Sequence, residues 1–592
     1  MNPLLWVAGG LALYWLLVAA AETRGILPDA VRTAGPLFLL STRRGRAMLD
    51  RLSRPNRLWR AWGNFGLGVT LVVMVGSVLF LLVLAAATLA NPPEPTGATQ
   101  PRNFLVIPGV NQFLPLSVAP EIVAGLAIGL IVHEGGHGIF CRVEDIDIES
   151  LGLVSLALLP VGAFVQPDED SARRADRGGR SRMFAAGVTN NFAVTVVGFA
   201  LLFGPIVGSL SVASGAAVGG ALAGGPAEQA GLGRGTVITA VSNGSETVSI
   251  TSNEDLDRAM TRLRGDTVTV SRQEGAPVTV DRELVVTGTV GGVPDALSGG
   301  ATIVAVNGTA VNTTPALRAA LRDRPVAQFE TADGASVTLP AGAYVTVQPD
   351  EPLSDAGAPT DPLIITRIGG HRVLTAEGLS DVLDRTQPDQ RVHVVAYQDG
   401  TRQTYTVTLG VQGDHGYLGV YLGPGISGVT ISDLGVQPYP AGRYLAVLGG
   451  SCPDCEAVPS VNGVERAALA LQLPLIGVSG GPLFPYNFAG FTGGVANFYV
   501  VEGPLAGLGG WLFLLANLLF WTAWINLNLG VFNCIPTFAL DGGHILRAGA
   551  EAVAARLPVE DRSRVVMAAT LSVQFLMLGS LFLLVFGAQL LG

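Results

Sequence analysis

The sequence predicts an α-helical membrane protein of about six transmembrane helices, with an α+β region inserted between the fourth and the fifth. Three observations predict this fold class. The 592-residue chain is 49% hydrophobic and only 14% charged, with a mean hydropathy of +0.46, which is too apolar for a soluble globular protein. Apolar runs of at least about 18 residues recur along the chain. The long segment 212–508 between two of these runs instead has the composition of soluble domains.

Six apolar runs are candidate spanning helices. They cover residues 4–21, 65–90, 120–141, 183–210, 509–535 and 564–591. The first run is similar to a secretory signal, but no basic residue precedes its apolar core and no convincing small-residue cleavage site precedes the second run. We therefore expect a retained first helix.

Arginines in the connections predict the orientation, because basic residues are retained in the cytoplasm. Connection 22–64 holds nine arginines and connection 142–182 holds six, whereas 91–119 holds Arg102 alone. Connection 536–563 again holds several. The alternation predicts that both termini and the inserted region are extracytoplasmic, and it supports six spans better than five or seven.

The inserted region is strongly acidic. Residues 212–508 carry 28 Asp and Glu against 16 Arg, and all 36 basic residues of the chain are arginine. A surface of this charge argues against nucleic acid as a partner. Adaptation to high salt and GC-rich coding are alternative explanations for the lack of lysine.

A small α+β pattern repeats within residues 212–425. The stretch "GGPAEQAGLGRGTVITAVSNG" and the following "TSNEDLDRAMTRLRGDTVTVSR" predict a turn, a strand, a helix with an acidic first turn and an alternating strand. A similar order recurs at "GGATIVAVNGTAVNTTPALRAALRDRP" and at "DPLIITRIGGHRVLTAEGLSDVLDRTQPDQRVHVVAYQDG". The pattern resembles the PDZ domains of membrane and periplasmic proteases. It predicts two PDZ-like units. A degraded third copy and a generic α+β domain are open alternatives.

The third apolar run contains "IVHEGGHGIF" at residues 131–140. His133 and His137 are four residues apart, so on a helix both imidazoles face one side and can bind one metal ion, with Glu134 beside the open coordination position. Such a metal lowers the pKa of a water molecule, and the glutamate takes its proton as general base. The pattern therefore predicts zinc-dependent hydrolysis, with a hydrogen-bonded polar cluster as the structural alternative.

A carboxylate late in the chain can complete this site. The stretch "NLNLGVFNCIPTFALDGGHILR" contains Asn533 and Asp541, and Asp541 could close a His2Asp zinc site that keeps a fourth position for water. H-E-x-x-H in one membrane helix and N-x-x-P-x-x-x-L-D-G-G after a later one resemble the site-2 protease family of intramembrane zinc metalloproteases. The resemblance implies one Zn²⁺ per chain, with His133, His137 and Asp541 as ligands and Glu134 as the base.

Two further stretches resemble the same family. "FAAGVTNNFAV" at 184–194 is similar to its A-G-P-x-x-N-F stretch, with Val188 in place of the proline and Asn191 at the asparagine position. An amide there could hold the substrate backbone or the oxyanion, and helix–helix adhesion is the alternative. We predict Asn191 and Asn533 as substrate-binding residues. The apolar stretch 151–165 is too short to span and resembles the family's membrane-inserted hairpin, which offers an edge to an unwound substrate.

The resemblance implies a metalloendopeptidase that cuts in or near transmembrane segments of membrane-anchored regulatory proteins. It also implies an upstream protease that trims substrates first. His133 and Asn191 each lie eight residues, about 12 Å, from the cytoplasmic end of their span, which predicts an active site in the cytoplasmic half of the bilayer. A membrane zinc protease of another HExxH family and a non-catalytic PDZ-bearing scaffold with structural zinc are the alternatives. Cys452 and Cys455 are a candidate short-loop disulfide. The expected domains are 1–118 (N-terminal helices), 119–211 (first core half), 212–425 (PDZ-like region), 426–508 (outer connecting segment) and 509–592 (second core half).

Overall fold

The computed structural model describes residues 3–591 apart from short gaps. The gaps are 28–30, 35–36, 42, 94, 96–98, 104–106, 112–113, 157–158, 452–461, 479–483 and 539. Cys452 and Cys455, the candidate disulfide, lie outside the described residues.

The first half of the chain is mainly helical. Its helices are α1 (Pro3–Thr23), α2 (Arg43–Leu52), α3 (Asn56–Ala90), α4 (Ala119–Val143), α5 (Glu169–Arg174) and α6 (Arg177–Leu201), with short 3-10 turns at Pro101–Asn103 and Leu116–Val118. Beyond α6 the chain continues through a short π-helix, Leu202–Ile206, and a 3-10 turn, Val207–Ser209. The side chain of Asp176 accepts from the backbone N–H of Gly179 and so caps the start of α6.

A four-stranded antiparallel sheet packs against α4. Its strands are β1 (Val31–Ala34), β2 (Leu37–Ser41), β3 (Ile148–Leu156) and β4 (Leu159–Pro167), in the spatial order 1-2-3-4. The hairpin expected at 151–165 is therefore β3 and β4, and the arginine-rich connection adds a second hairpin to it. Within the described part of the sheet, β4 is an edge strand.

Strand β5 (Leu210–Val212) leads into three α+β units of one topology. Unit 1 contains β6 (Ala216–Ala221), β7 (Val237–Ser242), β8 (Thr247–Ser249), β9 (Thr267–Arg272), β10 (Val278–Asp281), β25 (Val436–Pro438), α7 (Pro226–Gln229) and α8 (Asn253–Arg262). Unit 2 contains β11 (Leu284–Thr289), β12 (Thr302–Val306), β13 (Thr309–Ala310), β14 (Val326–Thr331), β15 (Ser336–Pro340), β24 (Val429–Ser432), α9 (Thr314–Leu321) and a 3-10 turn, Asp295–Leu297. Unit 3 contains β16 (Ala343–Val347), β17 (Pro362–Ile368), β18 (His371–Arg372), β19 (Arg391–Gln398), β20 (Thr401–Thr408), β21 (Gly410–Gln412), β22 (His415–Tyr417), β23 (Val420–Leu422), α10 (Pro352–Asp355) and α11 (Ala376–Leu383).

The three units are nested, because unit 3 interrupts unit 2 and unit 2 interrupts unit 1. The main strand orders are β10-β9-β7-β6-β25, β15-β14-β12-β11-β24 and β20-β19-β17-β16-β23. A Gly-Val step precedes or begins each closing strand, and Gly419, Gly428 and Gly435 all have positive φ (+77°, +79° and +68°). Two PDZ-like units were expected within residues 212–425, with a degraded third copy as an open alternative. The structure has three units with complete sheets, and the closing strands extend the region to residue 438.

The described residues of the segment 439–508 pack against the apolar helices. Their elements are α12 (Ala441–Val447), α13 (Gly463–Gln472), β26 (Tyr499–Val501), which pairs with β5, and 3-10 turns at Ile476–Val478, Gly493–Phe498 and Gly503–Leu508. Buried aromatic side chains such as Tyr444, Phe488 and Phe498 share one apolar core with Phe520 and Trp521 of the following helix. The expected connecting segment therefore has a hydrophobic core in common with the membrane part.

The last part of the chain is helical again, with α14 (Trp511–Cys534), α15 (Asp541–Ala554) and α16 (Arg562–Leu591). Among the described residues, five helical segments are long and apolar enough to cross a membrane: Asn56–Ala90, Leu116–Val143, Arg177–Ser209, Trp511–Cys534 and Arg562–Leu591. They match five of the six expected spans. The remaining expected span, 4–21 in helix α1, stays a prediction. There the apolar helical segment that can be assessed is Ala12–Thr23, which is too short to cross a membrane.

Candidate metal centre

Helices α4, α6 and α14 pack on one another and enclose the polar residues predicted from sequence. Small residues make this approach close. A Cβ atom added to Gly125 of α4 would lie 3.1 Å from the backbone of Thr522, and one added to Gly129 would lie 2.8 Å from Leu529, both on α14. Because Gly125, Gly129 and His133 are spaced by four residues, this glycine face of α4 continues into the first histidine.

His133, His137 and Asp541 meet at one point, although Asp541 is the first residue of α15 and the histidines lie on α4. The Nε2 atoms of the two histidines are 3.2 Å apart, and Oδ2 of Asp541 lies 3.2 Å from Nε2 of His133 and 3.4 Å from Nε2 of His137. All three residues are less than one-tenth exposed. Tetrahedral zinc with bonds of about 2.0–2.1 Å requires neighbouring ligand atoms about 3.3 Å apart. The three residues therefore fit a zinc ion.

Both imidazoles are oriented by groups on α6. The Nδ1 atom of His137 lies 2.8 Å from the carbonyl oxygen of Met183, so an Nδ1–H donor leaves Nε2 free for the metal. The Nδ1 atom of His133 lies 3.2 Å from the amide nitrogen of Asn191, which is fully buried. If His133 binds a metal through Nε2, its hydrogen is on Nδ1 and needs an acceptor. The amide of Asn191 supplies that acceptor when it is flipped, so that Oδ1 takes the place of the nitrogen. The two ends of an amide have nearly the same shape, so the flip changes no packing.

Glu134 points to the sheet. The backbone N–H of Val165 in β4 donates to its Oε2 at 2.9 Å. This hydrogen bond holds the carboxylate at the border between α4 and the edge strand. The N–H that makes it points away from β3, because it is directed to the helix.

Glycines allow α6 and α15 to approach the ligands. A Cβ atom on Gly187 would lie 2.7 Å from Nε2 of His137 and 2.8 Å from Cε1 of His133. In the L-D-G-G motif, a Cβ atom on Gly542 would lie 2.4 Å from the carbonyl oxygen of Cys534. The first turn of α15 can therefore approach the end of α14 only with glycine at this position.

The structure thus brings the three predicted ligands together and places Asn191 against His133, whereas Glu134 contacts Val165. The role of Asn191 as a substrate-binding residue stays a prediction. Asn533 donates its amide to the carbonyl of Leu529 in its own helix at 2.9 Å, and its role as a substrate-binding residue stays a prediction. The ring of Phe184, which sequence reasoning missed, lies 6.3 Å from that of His137 and stacks on His544 at 4.3 Å. The carbonyl of Met183 and the N–H of Val165 were also missed, since backbone groups have no signature in a sequence motif.

Comparisons with known proteins identify the family of this chain. The family model of peptidase family M50 matches residues 121–397 and 491–579, more than half of the chain, and both ranges contain predicted ligands. A zinc metalloprotease, RasP, of Oceanobacillus iheyensis is 28% identical over 211 residues, which are 35% of this chain and 42% of that protein. An uncharacterized protein of Methanocaldococcus jannaschii is 29% identical over 178 residues, 29% of this chain and 45% of that protein. The alignments thus span less than half of either relative.

Proposed function

Because this chain belongs to peptidase family M50, the site-2 protease family, we propose that it is a zinc-dependent endopeptidase that cuts within or near transmembrane segments. The observation that carries the proposal is the triangle of His133, His137 and Asp541, with candidate ligand atoms 3.2–3.4 Å apart. Glu134 follows the first histidine in the chain, and its carboxylate is held by the N–H of Val165. A purely structural zinc site has no need of a base beside the first ligand. One Zn²⁺ bound there supplies a Lewis acid for the attacking water and the scissile carbonyl.

Glu134 is the proton acceptor in this proposal. Its Oε2 atom is held by the N–H of Val165, which leaves Oε1 to take the proton of the attacking water and later to deliver it to the leaving amine. The positions of His133 and His137 depend on α6, through Asn191 and Met183. The rigid packing of α4 on α6 therefore maintains the distance between ligands and base.

Strand β4 is the proposed docking edge for substrate. A transmembrane helix hides its peptide bonds, so it must unwind before water reaches a carbonyl. An unwound segment can add to an exposed sheet edge through backbone hydrogen bonds. β4 is the edge strand of the described sheet, and the outward N–H of its Val165 already contacts the proposed base, so an added strand would pair with other outward backbone groups of β4. A strand added there would run beside the metal ligands.

The proposed substrates are membrane-anchored proteins, in particular regulators that another protease has trimmed first. The proposed orientation has the three α+β units outside the cytoplasm and the metal centre in the inner half of the bilayer. The units, which are PDZ-like by resemblance, would then select substrates by their outer parts, whereas the bilayer and the five apolar helices would present the cleavage site.

Replacing Glu134 by Gln tests the catalytic role. The amide keeps the size of the side chain but cannot accept the proton, so cleavage of a model transmembrane substrate in detergent is expected to fall by about 10²- to 10⁴-fold while zinc stays bound. Cleavage rate and zinc content are measured on the same preparation. Glu169→Gln, an equal charge change on the exposed helix α5, is the control and is expected to cleave normally. If zinc-loaded Glu134→Gln cleaves at the wild-type rate, Glu134 is not the base. The alternative of a non-catalytic scaffold with structural zinc would then be favoured.

A further inference from the structure

A cavity of about 500 Å³ lies between α15, α16 and the start of α6. One wall is apolar and includes Phe538, Val566, Met567 and Leu571. The other wall is basic. It is lined by Arg177, Arg547 and Arg562, with Glu551 between them.

Positive charge is in excess at this basic wall. Atom Nη2 of Arg180 lies 3.0 Å from Glu551, Nε of Arg547 lies 3.5 Å from it and Nε of Arg177 lies 3.9 Å from it. One carboxylate thus faces three guanidinium groups, of which those of Arg177 and Arg547 line the cavity, and Arg562 lines it as well. Their mutual repulsion favours the binding of a further anion.

The apolar segments beside the cavity put it at the expected level of the lipid headgroups. Arg177 and Arg562 are the first residues of two of the apolar segments long enough to span a membrane. Basic residues at such ends lie at the interface, and the following turns enter the hydrocarbon. Val566, Met567 and Leu571 belong to those turns of α16. An occupant therefore meets guanidinium groups at one end and apolar side chains at the other.

We propose that this cavity binds an anionic phospholipid, with its phosphate between Arg177, Arg547 and Arg562 and part of an acyl chain against α16. Phosphate and guanidinium match as charge-assisted, bidentate partners. Basic pockets between membrane helices bind acidic headgroups in this way. A zwitterionic lipid carries the same phosphate but adds a cationic group that the guanidinium groups repel, and a free anion has no acyl chain for the apolar side chains.

The occupant would contact the element that carries a metal ligand. Gly543 and His544 line the cavity, and both lie in the first turn of α15 with Asp541. Gln574 of α16, another lining residue, approaches a Cβ position on Gly543 to 3.1 Å. A bound lipid is therefore expected to slow backbone hydrogen exchange in the first turns of α15.

Native mass spectrometry of the full chain tests the proposal. The probes are a phosphatidylglycerol, a phosphatidylcholine with the same acyl chains, and inorganic phosphate. The phosphatidylglycerol is expected to bind tightest. Arg547→Gln with Arg562→Gln is expected to weaken it about 25-fold, since each basic residue near an acidic headgroup contributes about 1 kcal/mol, or about fivefold. Arg556→Gln with Arg564→Gln removes the same charge from residues outside the cavity lining and is expected to leave binding unchanged.

Several outcomes would overturn the proposal. Equal binding of the two lipids, or equal weakening by the two double variants, would assign the effect to membrane partition or to overall charge. Phosphate binding as tight as that of the phosphatidylglycerol would reduce the site to a simple anion site. Should the cavity variant fold poorly, hydrogen exchange of the wild type decides: protection of residues 541–547 by phosphatidylglycerol alone supports the lipid site, and its absence refutes it.

Discussion

Each imidazole of the metal centre has a partner on α6, but the two partners are chemically different. His137 contacts the backbone carbonyl of Met183, which no side-chain substitution removes. His133 contacts the side-chain amide of Asn191. Orientation of one ligand is therefore sensitive to mutation of α6, whereas orientation of the other follows from the helix backbone.

Substitution of Asn191 should act on the metal rather than only on the substrate. Asn191→Leu removes the acceptor for Nδ1–H of His133, and zinc affinity is expected to fall about 10- to 100-fold. Asn191→Asp keeps an oxygen in the same place and is expected to retain zinc. Competition with a fluorescent chelator measures both affinities. Unchanged zinc affinity in the Leu variant, with slower cleavage, would restore Asn191 to the substrate-binding role.

The two glycines between the histidines should respond differently to alanine. A Cβ atom on Gly136 would lie 2.8 Å from the amide of Asn190 and 2.9 Å from the backbone of Ala186, whereas one on Gly135 meets nothing within 4 Å. Gly136→Ala is therefore expected to separate α4 from α6, lowering the unfolding temperature in detergent and the zinc content. Gly135→Ala is the control and should retain both. Equal behaviour of the two variants would contradict the packing of α4 on α6.

The cluster of candidate ligands could be predicted from sequence because its members are side chains in two short motifs. His133, Glu134 and His137 are set by helical spacing, and Asp541 was recognised by its resemblance to a family motif. The requirement for Gly187 could not be predicted, since it arises only where α6 crosses the imidazoles. Asn191 was identified as important, but its contact with His133 depends on the rotation of α6, which the sequence does not specify.

Among the elements, β4 connects the sheet to the reacting groups. Its register with β3 pairs Val165 with Leu151, while the N–H of Val165 is directed to Glu134. A short apolar stretch predicted this hairpin. The contribution of β1 and β2 could not be predicted, because their Arg-containing sequence has no clear alternation and pairs with residues more than a hundred positions later.

Replacing Val165 by Pro tests the contact between β4 and the base. Proline is tolerated where a strand's N–H points away from its neighbour, so pairing with β3 should survive. The lost donor to a charged group contributes about 1.5 kcal/mol, and cleavage is expected to slow about tenfold with zinc retained. Val165→Ala keeps the N–H and is the control. Equal rates for the Pro and Ala variants would show that this hydrogen bond does not position Glu134.

The whole molecule combines a helical membrane part with a nested α+β region. A buried ion pair joins units 1 and 2: Arg282, after β10, contacts Asp433 between β24 and β25, and both side chains are fully buried. Asp433 also accepts the backbone N–H of Thr314 at the start of α9. Composition and apolar runs predicted the two parts. The nesting was not predicted. Its closing strands are only three or four residues long and pair with strands from the opposite end of the region, so no local sequence pattern indicates them.

Excision of unit 3 should leave the rest of the molecule intact. Gly342 and Ser427, which flank it, already contact each other, with Ser427 N–H donating to the Gly342 carbonyl at 2.7 Å. Removing residues 343–422 is therefore expected to preserve zinc content and cleavage of a substrate with a short outer tail, and to change the choice among longer substrates. Removing the equally long segment 326–405 cuts into two units and should abolish folding. Loss of zinc in the first deletion would mean that unit 3 supports the metal centre.

The nested closing strands also determine the order in which the outer region is completed during synthesis. The ribosome produces β6 first, yet its partner β25 is among the last strands of the region to be translated. Unit 3 is completed first, unit 2 next and unit 1 last, all within residues 420–438. A stalled or truncated chain that stops before this stretch therefore leaves three sheets open at once, and each exposes an unpaired edge to aggregation or proteolysis.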